Sequence, residues 1–532
     1  MKLGKRSAGV LLHVTSLPGP HGIGDLGPQA HEFARTLAEC GQSWWQMLPI
    51  SPPGAGDSPY SSLSAFAGNP LLLSLDRLAD EGLLSKEDLS GPGFPKGRVE
   101  FSAVERFKKP LLRKAFEVFA AGRYPALKKD LVSFQKRRAN WLPDYALFAA
   151  LKEAHGGASW TAWEDGLRRR EPKALEAARR SLKKEILFQI FLQHQFSRQW
   201  RALHDHCRRL GVGLIGDLPI FVSHDSADVW AHQELFWLDR GGTPLKVAGV
   251  PPDYFSSTGQ LWGNPLYRWD AMRRSGYAWW VARFAAAFEH FDAVRLDHFI
   301  GFHNYWEIPG GAATAEGGRW ILAPGAELFE TVGKKLGELP LIAEDLGVVT
   351  PEVKALRDRF GFPGLRVLQM AFGTDAEADT YKPHNYSANC VVYTGTHDND
   401  TTAGWFESAA SAASTRSPED VARERAAILS YLGGGAEIHW DMIRLAYMSV
   451  AATAVIPAQD LLGLGSEARM NLPGTASGNW GWRLEEAALT PEIRRRWAAL
   501  TKTYGRASAI SAAAERPRSH RRVLRPRVSR PA

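Results

Sequence analysis

Residues 291–297 read Phe-Asp-Ala-Val-Arg-Leu-Asp, a short and largely apolar run that ends in a charged side chain. A run this short, with β-branched residues, predicts a buried strand rather than a helix. Seven similar runs occur elsewhere, and the full set comprises residues 9–13, 44–49, 212–217, 291–297, 339–344, 364–370, 390–397 and 450–457. Helical patterns lie between most of them. Eight strands that alternate with helices predict an α/β fold of the (β/α)8 TIM-barrel type.

Two long segments interrupt this alternation. Residues 51–211, after the second strand, contain long amphipathic patterns and predict a large, mostly helical insertion. Residues 237–269, after the third strand, predict a loop-rich insertion. Insertions that follow barrel strands lie at the carboxyl face of a barrel, where active sites are found. We therefore assign residues 1–510 to one catalytic barrel that includes both insertions.

The net charge of +8 comes largely from one end of the chain. Residues 515–532 contain seven Arg and one Glu, so they carry +6 and leave about +2 for the rest. We interpret residues 511–532 as a basic, disordered tail. The rest of the chain is so close to neutral that we expect no nucleic-acid partner, although a polyanion-binding role of the tail stays open.

The cysteines and the apolar runs indicate where the protein works. Its three cysteines are far apart and form neither a disulfide framework nor a metal-binding pair, which is typical of a reducing compartment. The apolar run at residues 8–12 is too short for a signal peptide. No run approaches the ~18 apolar residues of a membrane span. We expect a cytoplasmic protein with no membrane partner.

Four acids fall at or just beyond predicted strand ends: Asp217, Asp297, Glu344 and Asp398. Residues at the carboxyl ends of barrel strands converge on one point even when they are distant in sequence. Cleavage of a glycosidic bond needs one carboxylate to attack the anomeric carbon and a second carboxyl to protonate the leaving oxygen. A third anion nearby helps to keep the proton on the acid. Each acid alone could be structural, but their joint placement indicates glycoside chemistry.

The residues next to these acids suggest individual roles. Strand alternation places Arg295 and Asp297 on the same face, where the guanidinium would keep Asp297 ionised as a nucleophile. Glu344 follows a strongly apolar strand, so partial desolvation would raise its pKa and suit it to act as an acid. His397 and Asp398 could bind two neighbouring sugar hydroxyls. The alternative that Arg295 and Asp297 form only a structural ion pair stays open.

The strand-end sequences resemble the four motifs of the α-amylase superfamily, here Gly216-Asp217-Leu218-Pro219-Ile220, Arg295-Leu296-Asp297, Ala343-Glu344-Asp345 and Thr396-His397-Asp398-Asn399. Residues 9–18, 22–27 and 58–62 are similar to one family within it, the amylomaltases or 4-α-glucanotransferases. The resemblance extends over residues 7–504 and stops at the basic tail.

This resemblance implies roles for the site residues. Asp297 would be the nucleophile, Glu344 the general acid and then the base, and Asp398 would stabilise the distorted, oxocarbenium-like sugar. Donor-sugar contacts would come from Tyr60, Asp217, Arg295 and His397. The family needs no cofactor and no metal, and its substrates are α-1,4-glucans and maltooligosaccharides.

Residues 249–265 are the segment most typical of amylomaltases. The resemblance implies a loop above the cleft that helps to bind acceptor sugars, with contacts from Tyr254, Phe255 and Trp262. Asn264 and His298 are also expected to bind substrate. Glycine and proline in the segment also predict a loop. A structural loop with a buried Trp262 is the alternative.

Three functions remain after this comparison. The favoured one is a 4-α-glucanotransferase, because an aromatic lid would exclude water and hold an acceptor hydroxyl at the covalent intermediate. The same acids would also serve an α-amylase-type hydrolase. A catalytically silent glucan-binding scaffold is the third function, and the intact set of acids argues against it.

Overall fold

The computed structural model describes residues 3–122, 124–252, 258–347, 349–373, 377–408 and 417–508. The strands in these ranges are β1 (Ser7–Leu11), β2 (Trp44–Gln46), β3 (Gly213–Leu218), β4 (Lys246–Val250), β5 (Gln260–Pro265), β6 (Ala293–Leu296), β7 (Asn304–Pro309), β8 (Arg319–Leu322), β9 (Leu341–Ala343), β10 (Gly364–Val367), β11 (Cys390–Tyr393) and β12 (Thr453–Pro457).

The α-helices in the same ranges are α1 (Pro28–Glu39), α2 (Leu75–Asp80), α3 (Phe101–Ala121), α4 (Pro125–Arg137), α5 (Leu142–Ala154), α6 (Asp165–Arg168), α7 (Pro172–Ser181), α8 (Lys183–Leu210), α9 (Ala227–Ala231), α10 (Trp269–Arg274), α11 (Ala278–His290), α12 (Gly325–Leu336), α13 (Pro351–Arg359), α14 (Thr402–Glu407), α15 (Pro418–Leu432), α16 (Ile438–Met448), α17 (Ala458–Leu461) and α18 (Pro491–Thr503).

Eight parallel strands close into a barrel in the order β1-β12-β11-β10-β9-β6-β3-β2. The first and last strands form the seam, with Ser7 opposite Thr453 and Leu11 opposite Pro457. Each of the eight strands overlaps one of the predicted apolar runs. The predicted (β/α)8 barrel is therefore confirmed.

Side chains that alternate along the strands fill the barrel interior. One cluster of buried apolar residues takes members from all eight barrel strands, here Leu11, Trp44, Ile215, Ala293, Ile342, Leu365, Val391, Tyr393 and Val455. A second, larger cluster contains the strand residues whose side chains point away from the barrel interior, together with residues of the surrounding helices. The barrel is thus a packed core, and its carboxyl end is free to carry a site.

The segment between β2 and β3 contains α2 to α8, as the predicted helical insertion requires. Its long last helix, α8, packs on α1 beside the barrel and ends at Gly211, which adopts a left-handed conformation with φ 74°. Lys108 of α3 is wholly buried, donates to the Leu71 carbonyl at 2.7 Å and lies 3.6 Å from the Asp25 carboxylate. This pair joins the insertion to the loop before α1.

The insertion after β3 contains two strands that the sequence analysis did not predict. β4 and β5 pair with each other and with β7 and β8, which follow β6, in a second sheet of order β5-β4-β7-β8. The strands of this sheet come from two parts of the chain, and glycine and proline interrupt β4 and β5. The local sequence pattern therefore predicted a loop, whereas pairing between distant segments forms a sheet.

Two arginines join the chain ends at the start of the barrel. Arg506 is wholly buried and donates to backbone carbonyls that include those of Ser7, Tyr447 and Ser449. Arg6 donates to the carbonyls of Tyr447 and Ser449 as well. These carbonyls lie at the carboxyl end of α16, where the helix dipole favours a cation. The predicted tail, residues 511–532, lies outside the described residues.

Two further observations concern the expected compartment. All three cysteines are buried free thiols. Among the residues that the structure describes, no helix combines the length and the apolar character that crossing a bilayer requires.

Candidate active site

An open cleft of about 1570 Å³ lies at the carboxyl end of the barrel. Asp297, Glu344 and Asp398 line it, and each directly follows a barrel strand or the turn after one. Asp217, near the end of β3, lies behind them. The structure thus brings the four predicted acids together.

Arg295 connects three of these acids. Its Nη1 donates to both oxygens of Asp217 at 2.9 and 2.7 Å and to Asp297 Oδ1 at 2.9 Å, and its Nη2 lies 3.9 Å from Glu344 Oε2. Burial by itself would lower the pKa of Arg295, but the surrounding carboxylates outweigh it and raise that pKa well above its usual value. The guanidinium therefore stays charged and favours ionised neighbours.

Glu344 is a carboxyl of the cleft whose pKa is raised. Burial raises its pKa to about 8, with a further contribution from the charge of Asp297, while Arg295 acts in the opposite direction. One Glu344 oxygen accepts the backbone N–H of His298 at 2.6 Å. His298 has a left-handed backbone with φ 50°, which is uncommon for a residue other than glycine. At neutral pH Glu344 carries a proton that it can donate.

Asp297 differs from Glu344 in its surroundings. It accepts from Arg295, is partly exposed to the cleft and follows β6 in the alternation that points Ala293 and Arg295 inward. A guanidinium at hydrogen-bond distance stabilises its ionised form. The two carboxyls that line the cleft beside Arg295 thus differ in their contacts with the guanidinium.

Asp398 is oriented by residues that the sequence analysis missed. Asn471 Nδ2 donates to Asp398 Oδ1 at 2.6 Å, and Arg469 donates to the Asp398 carbonyl at 2.6 Å. His397 Nε2 lies 3.3 Å from the other oxygen. Asn471 and Arg469 follow α17, well beyond the last strand, so a search at strand ends does not find them.

Tyr60 lines the cleft, and Asp217 lies behind it. The Tyr60 ring stacks on His397 with centroids 5.1 Å apart, and its hydroxyl donates to Asp217 at 2.8 Å. Trp480, which the sequence analysis also missed, lies 5.8 Å from the Tyr60 ring. Asp217 is wholly buried, so it holds Tyr60 and Arg295 in place and does not itself line the cleft.

Trp262 on β5 covers one side of the cleft. Its ring meets the His298 ring edge-on with centroids 4.9 Å apart, and the residue is 38% exposed. The alternative of a buried Trp262 is therefore wrong. Asn264 also lines the cleft and donates to the Val222 carbonyl at 2.9 Å. Tyr254 and Phe255 lie outside the described residues.

A closed parallel barrel with this carboxyl set at its strand ends is typical of a glycoside-processing enzyme of the α-amylase type. A family model described as 4-alpha-glucanotransferase matches residues 12–490, and the chain belongs to this family. The predicted activity, 4-α-glucanotransferase, and the predicted enzyme class, a glycosyl-transferring enzyme, are confirmed.

Individual relatives are similar to this chain over nearly its whole length. The 4-alpha-glucanotransferase of Thermus thermophilus is 51% identical and covers 94% of this chain and 99% of its own. That of Synechocystis sp. is 49% identical and covers 95% and 99%. The solved structure of an amylomaltase from Streptococcus agalactiae in complex with acarbose has a TM-score of 0.90 and 38% identity, and covers 94% of this chain and 100% of its own.

Proposed function

We propose that this enzyme transfers segments of α-1,4-glucan by double displacement with retention, using Asp297 as the nucleophile and Glu344 as the acid and base. The observation that carries the assignment is the contrast between the two carboxyls. Arg295 donates to Asp297 at 2.9 Å, a contact that suits an attacking carboxylate, while burial raises the pKa of Glu344 and favours a protonated acid. Retaining chemistry requires one carboxyl in each of these states.

The first step forms a covalent intermediate. An Asp297 oxygen bonds to the anomeric carbon as the bond from that carbon to the glycosidic oxygen breaks. Glu344 gives its proton to this oxygen, and the leaving glucan departs with a free 4-hydroxyl. Glu344 is then a carboxylate, which Arg295 and the His298 N–H stabilise.

The second step reverses the proton transfer. Glu344 takes the proton of an acceptor 4-hydroxyl, whose oxygen bonds to the anomeric carbon while the bond to Asp297 breaks. The new linkage has the original configuration because the carbon is inverted twice. Asp297 and Glu344 return to their starting states.

The remaining residues bind and orient the donor sugar. Tyr60 offers an aromatic face, and His397 and Asp398 form an adjacent pair of polar groups at the cleft. Asn471 fixes one oxygen of Asp398, and the other oxygen lies beside His397, where both groups can bind a sugar hydroxyl. We assign Asp217 and Arg295 to positioning, because each acts through the side chains that it holds.

Trp262, Asn264 and His298 form the acceptor side. An aromatic ring at this edge replaces water around the covalent intermediate and offers a stacking surface for the incoming sugar. Tyr254 and Phe255 are proposed as further acceptor contacts from the resemblance alone. The Streptococcus agalactiae amylomaltase was solved in complex with acarbose, which supports our proposal that this enzyme binds oligosaccharides.

We further propose that residues 1–510 act as one catalytic unit and that the enzyme works in the cytoplasm on α-1,4-glucans and maltooligosaccharides. Three buried thiols support a reducing compartment. Fractionation of cells that express the enzyme, with cytosolic and periplasmic markers, tests this location.

Incubation with maltotriose tests the reaction. We expect glucose and a series of longer maltooligosaccharides, separated by chromatography. Asp297→Asn should lower kcat by about 10⁴-fold or more, since it removes the nucleophile. Asp225→Asn is the matched control, because Asp225 also lines the cleft but pairs with Lys152. Glucose and maltose alone would make the enzyme a hydrolase, and turnover by Asp297→Asn would refute the nucleophile assignment.

A further inference from the structure

A second, smaller cavity of about 30 Å³ lies behind the cleft. His397, Asp400 and Arg469 line both spaces, so the loop of residues 396–400 stands between them. This loop also carries Asp398, which lines the cleft. The small cavity therefore borders the back of the loop that carries two of the proposed donor-sugar contacts.

The segment that follows β1 forms another wall of this cavity. Directly after the strand, the Ser16 N–H donates to the His13 carbonyl at 3.0 Å and closes a single 3-10 turn. Side chains three residues apart lie on the same side of such a turn, and His13 and Ser16 both line the cavity. They are only 6% and 1% exposed, so both are buried polar groups.

These two side chains have polar atoms that the protein itself does not satisfy. Among the residues that the structure describes, neither His13 Nδ1 nor Ser16 Oγ has a hydrogen-bond partner, and buried polar groups of this kind are rare and costly. Burial, together with the charge of His397, lowers the pKa of His13 to about 3, so at neutral pH its ring is neutral and can both donate and accept. A water molecule would satisfy these groups, and the cavity is large enough for one, since about 10–15 Å³ suffices.

The loop side of the cavity offers an acceptor for the same water. Asp400 lines the cavity and accepts one hydrogen bond on each oxygen, from the Ser466 hydroxyl at 2.7 Å and from the Thr401 N–H at 2.8 Å. A carboxylate has about four lone-pair sites, so each oxygen can accept a further hydrogen bond. A water held by His13 can therefore bridge the end of β1 to the 396–400 loop.

We propose that this cavity is a water site and that His13 acts through its water as a positioning residue for the 396–400 loop. His13 is not among the described residues that line the cleft, so it does not touch the substrate itself. Because β1 is paired on both edges, a bridge from its end would hold His397 and Asp398 firmly toward the donor sugar. The proposal rests on the proposed function in taking these two residues as donor-sugar contacts.

Two replacements of His13 that are similar in size and differ in polarity test this proposal. His13→Leu removes hydrogen bonding, whereas His13→Gln keeps an amide that can donate and accept. With maltotriose we expect His13→Leu to lower kcat by about 3- to 10-fold with KM unchanged within about 2-fold, and His13→Gln to recover most of kcat. Thr15→Val is the matched control and should change neither value. Thr15 is buried in the same turn and its hydroxyl also lacks a partner among the described residues, but it does not line this cavity.

A high-resolution crystal structure of the wild type gives a readout that does not depend on activity, and it should show an ordered water between His13 and the 396–400 loop. A dry cavity would overturn the proposal, and so would wild-type kcat in His13→Leu. Equal losses of kcat in His13→Leu and His13→Gln, with lower melting temperatures, would make His13 a packing residue only. If His13→Leu does not fold, Ser16→Ala should lower kcat by about 2-fold or more, and an unchanged kcat would then overturn the proposal. A wild type without maltotriose products would refute the proposed reaction, while the crystal structure would still decide the water site.

Discussion

At the scale of single residues, contact with Arg295 and burial give two carboxyl groups different functions. Asp297 and Glu344 are both carboxyls, yet Arg295 bonds to the first at 2.9 Å and lies 3.9 Å from the second. Electrostatic stabilisation falls with distance and desolvation favours the neutral acid, so the pKa of Glu344 lies well above its ordinary value. The pH dependence of the enzyme should show this raised pKa.

The first prediction concerns catalysis at high pH. Because Glu344 must be protonated in the first step and its pKa is about 8, kcat/KM for maltotriose should fall about tenfold per pH unit above that value. A profile of initial rates from pH 5 to 10 measures the midpoint. A midpoint near 4.5, the ordinary value for a glutamic acid, would contradict the assignment of Glu344 as the acid.

The second prediction concerns stability. A folded pKa above the unfolded value means that the contribution of Glu344 to stability is fully present below pH 4.5 and is lost as the pH rises through 8. Glu344→Gln removes this loss, since a Gln oxygen can still accept the His298 N–H. We expect the variant to be more stable than wild type by about 2–4 kcal/mol at pH 8 and equally stable at pH 4, measured by urea unfolding. An equal difference in the free energy of unfolding at both pH values would contradict this prediction.

The third prediction concerns Asn471. Loss of its hydrogen bond to the Asp398 carboxylate should lower kcat by roughly 10-fold or more, since bonds to charged groups contribute about 1.5–3 kcal/mol. Asn471→Ala tests it in maltotriose assays, and Asn479→Ala, in the same loop, is the control. Unchanged kcat with a shifted melting temperature would mean that Asn471 is only structural.

At the scale of elements, the buried Lys108 joins the helical insertion to the barrel. A charge left without its partner in the core costs about 3–5 kcal/mol. The fourth prediction is that Asp25→Asn lowers the free energy of unfolding by about this amount. Combining it with Lys108→Met should recover part of the lost stability. Unfolding by urea measures the double-mutant cycle. Additive losses would show that the two side chains do not interact.

The elements also show what the sequence can and cannot predict. The barrel strands are buried on both faces, so each is a continuous apolar run that is visible without the structure. Asp297, Glu344 and Asp398 follow from the same pattern, because barrel geometry brings strand ends together. Tyr60 was found only through the family resemblance. Asn471 and Trp480 reach the site through a long connection after β12. β4 acquires its strand character from its partner β7, and β5 acquires its own by pairing with β4. No local pattern marks either kind of contact.

At the scale of the whole molecule, Arg506 makes the end of the described chain part of the barrel. It donates to carbonyls of β1 and of the end of α16. The fifth prediction compares two truncations. A chain that ends at Gly505 should have a markedly lower melting temperature than one that ends at Ser508, because each lost bond from a charged donor costs about 1.5–3 kcal/mol. Equal melting temperatures would mean that these bonds contribute nothing.

The seam between β1 and β12 has a consequence for how the protein is made. On the ribosome β1 emerges first and can pair with β2 at once, but its other edge must wait for residues 453–457. At 5–20 residues per second this delay is roughly 20–90 s. During that time the nascent chain carries an unpaired edge that neighbouring polypeptides could join. Rapid burial of β1 under the growing helices, or a chaperone that covers it, would therefore govern the yield of active enzyme in a cell.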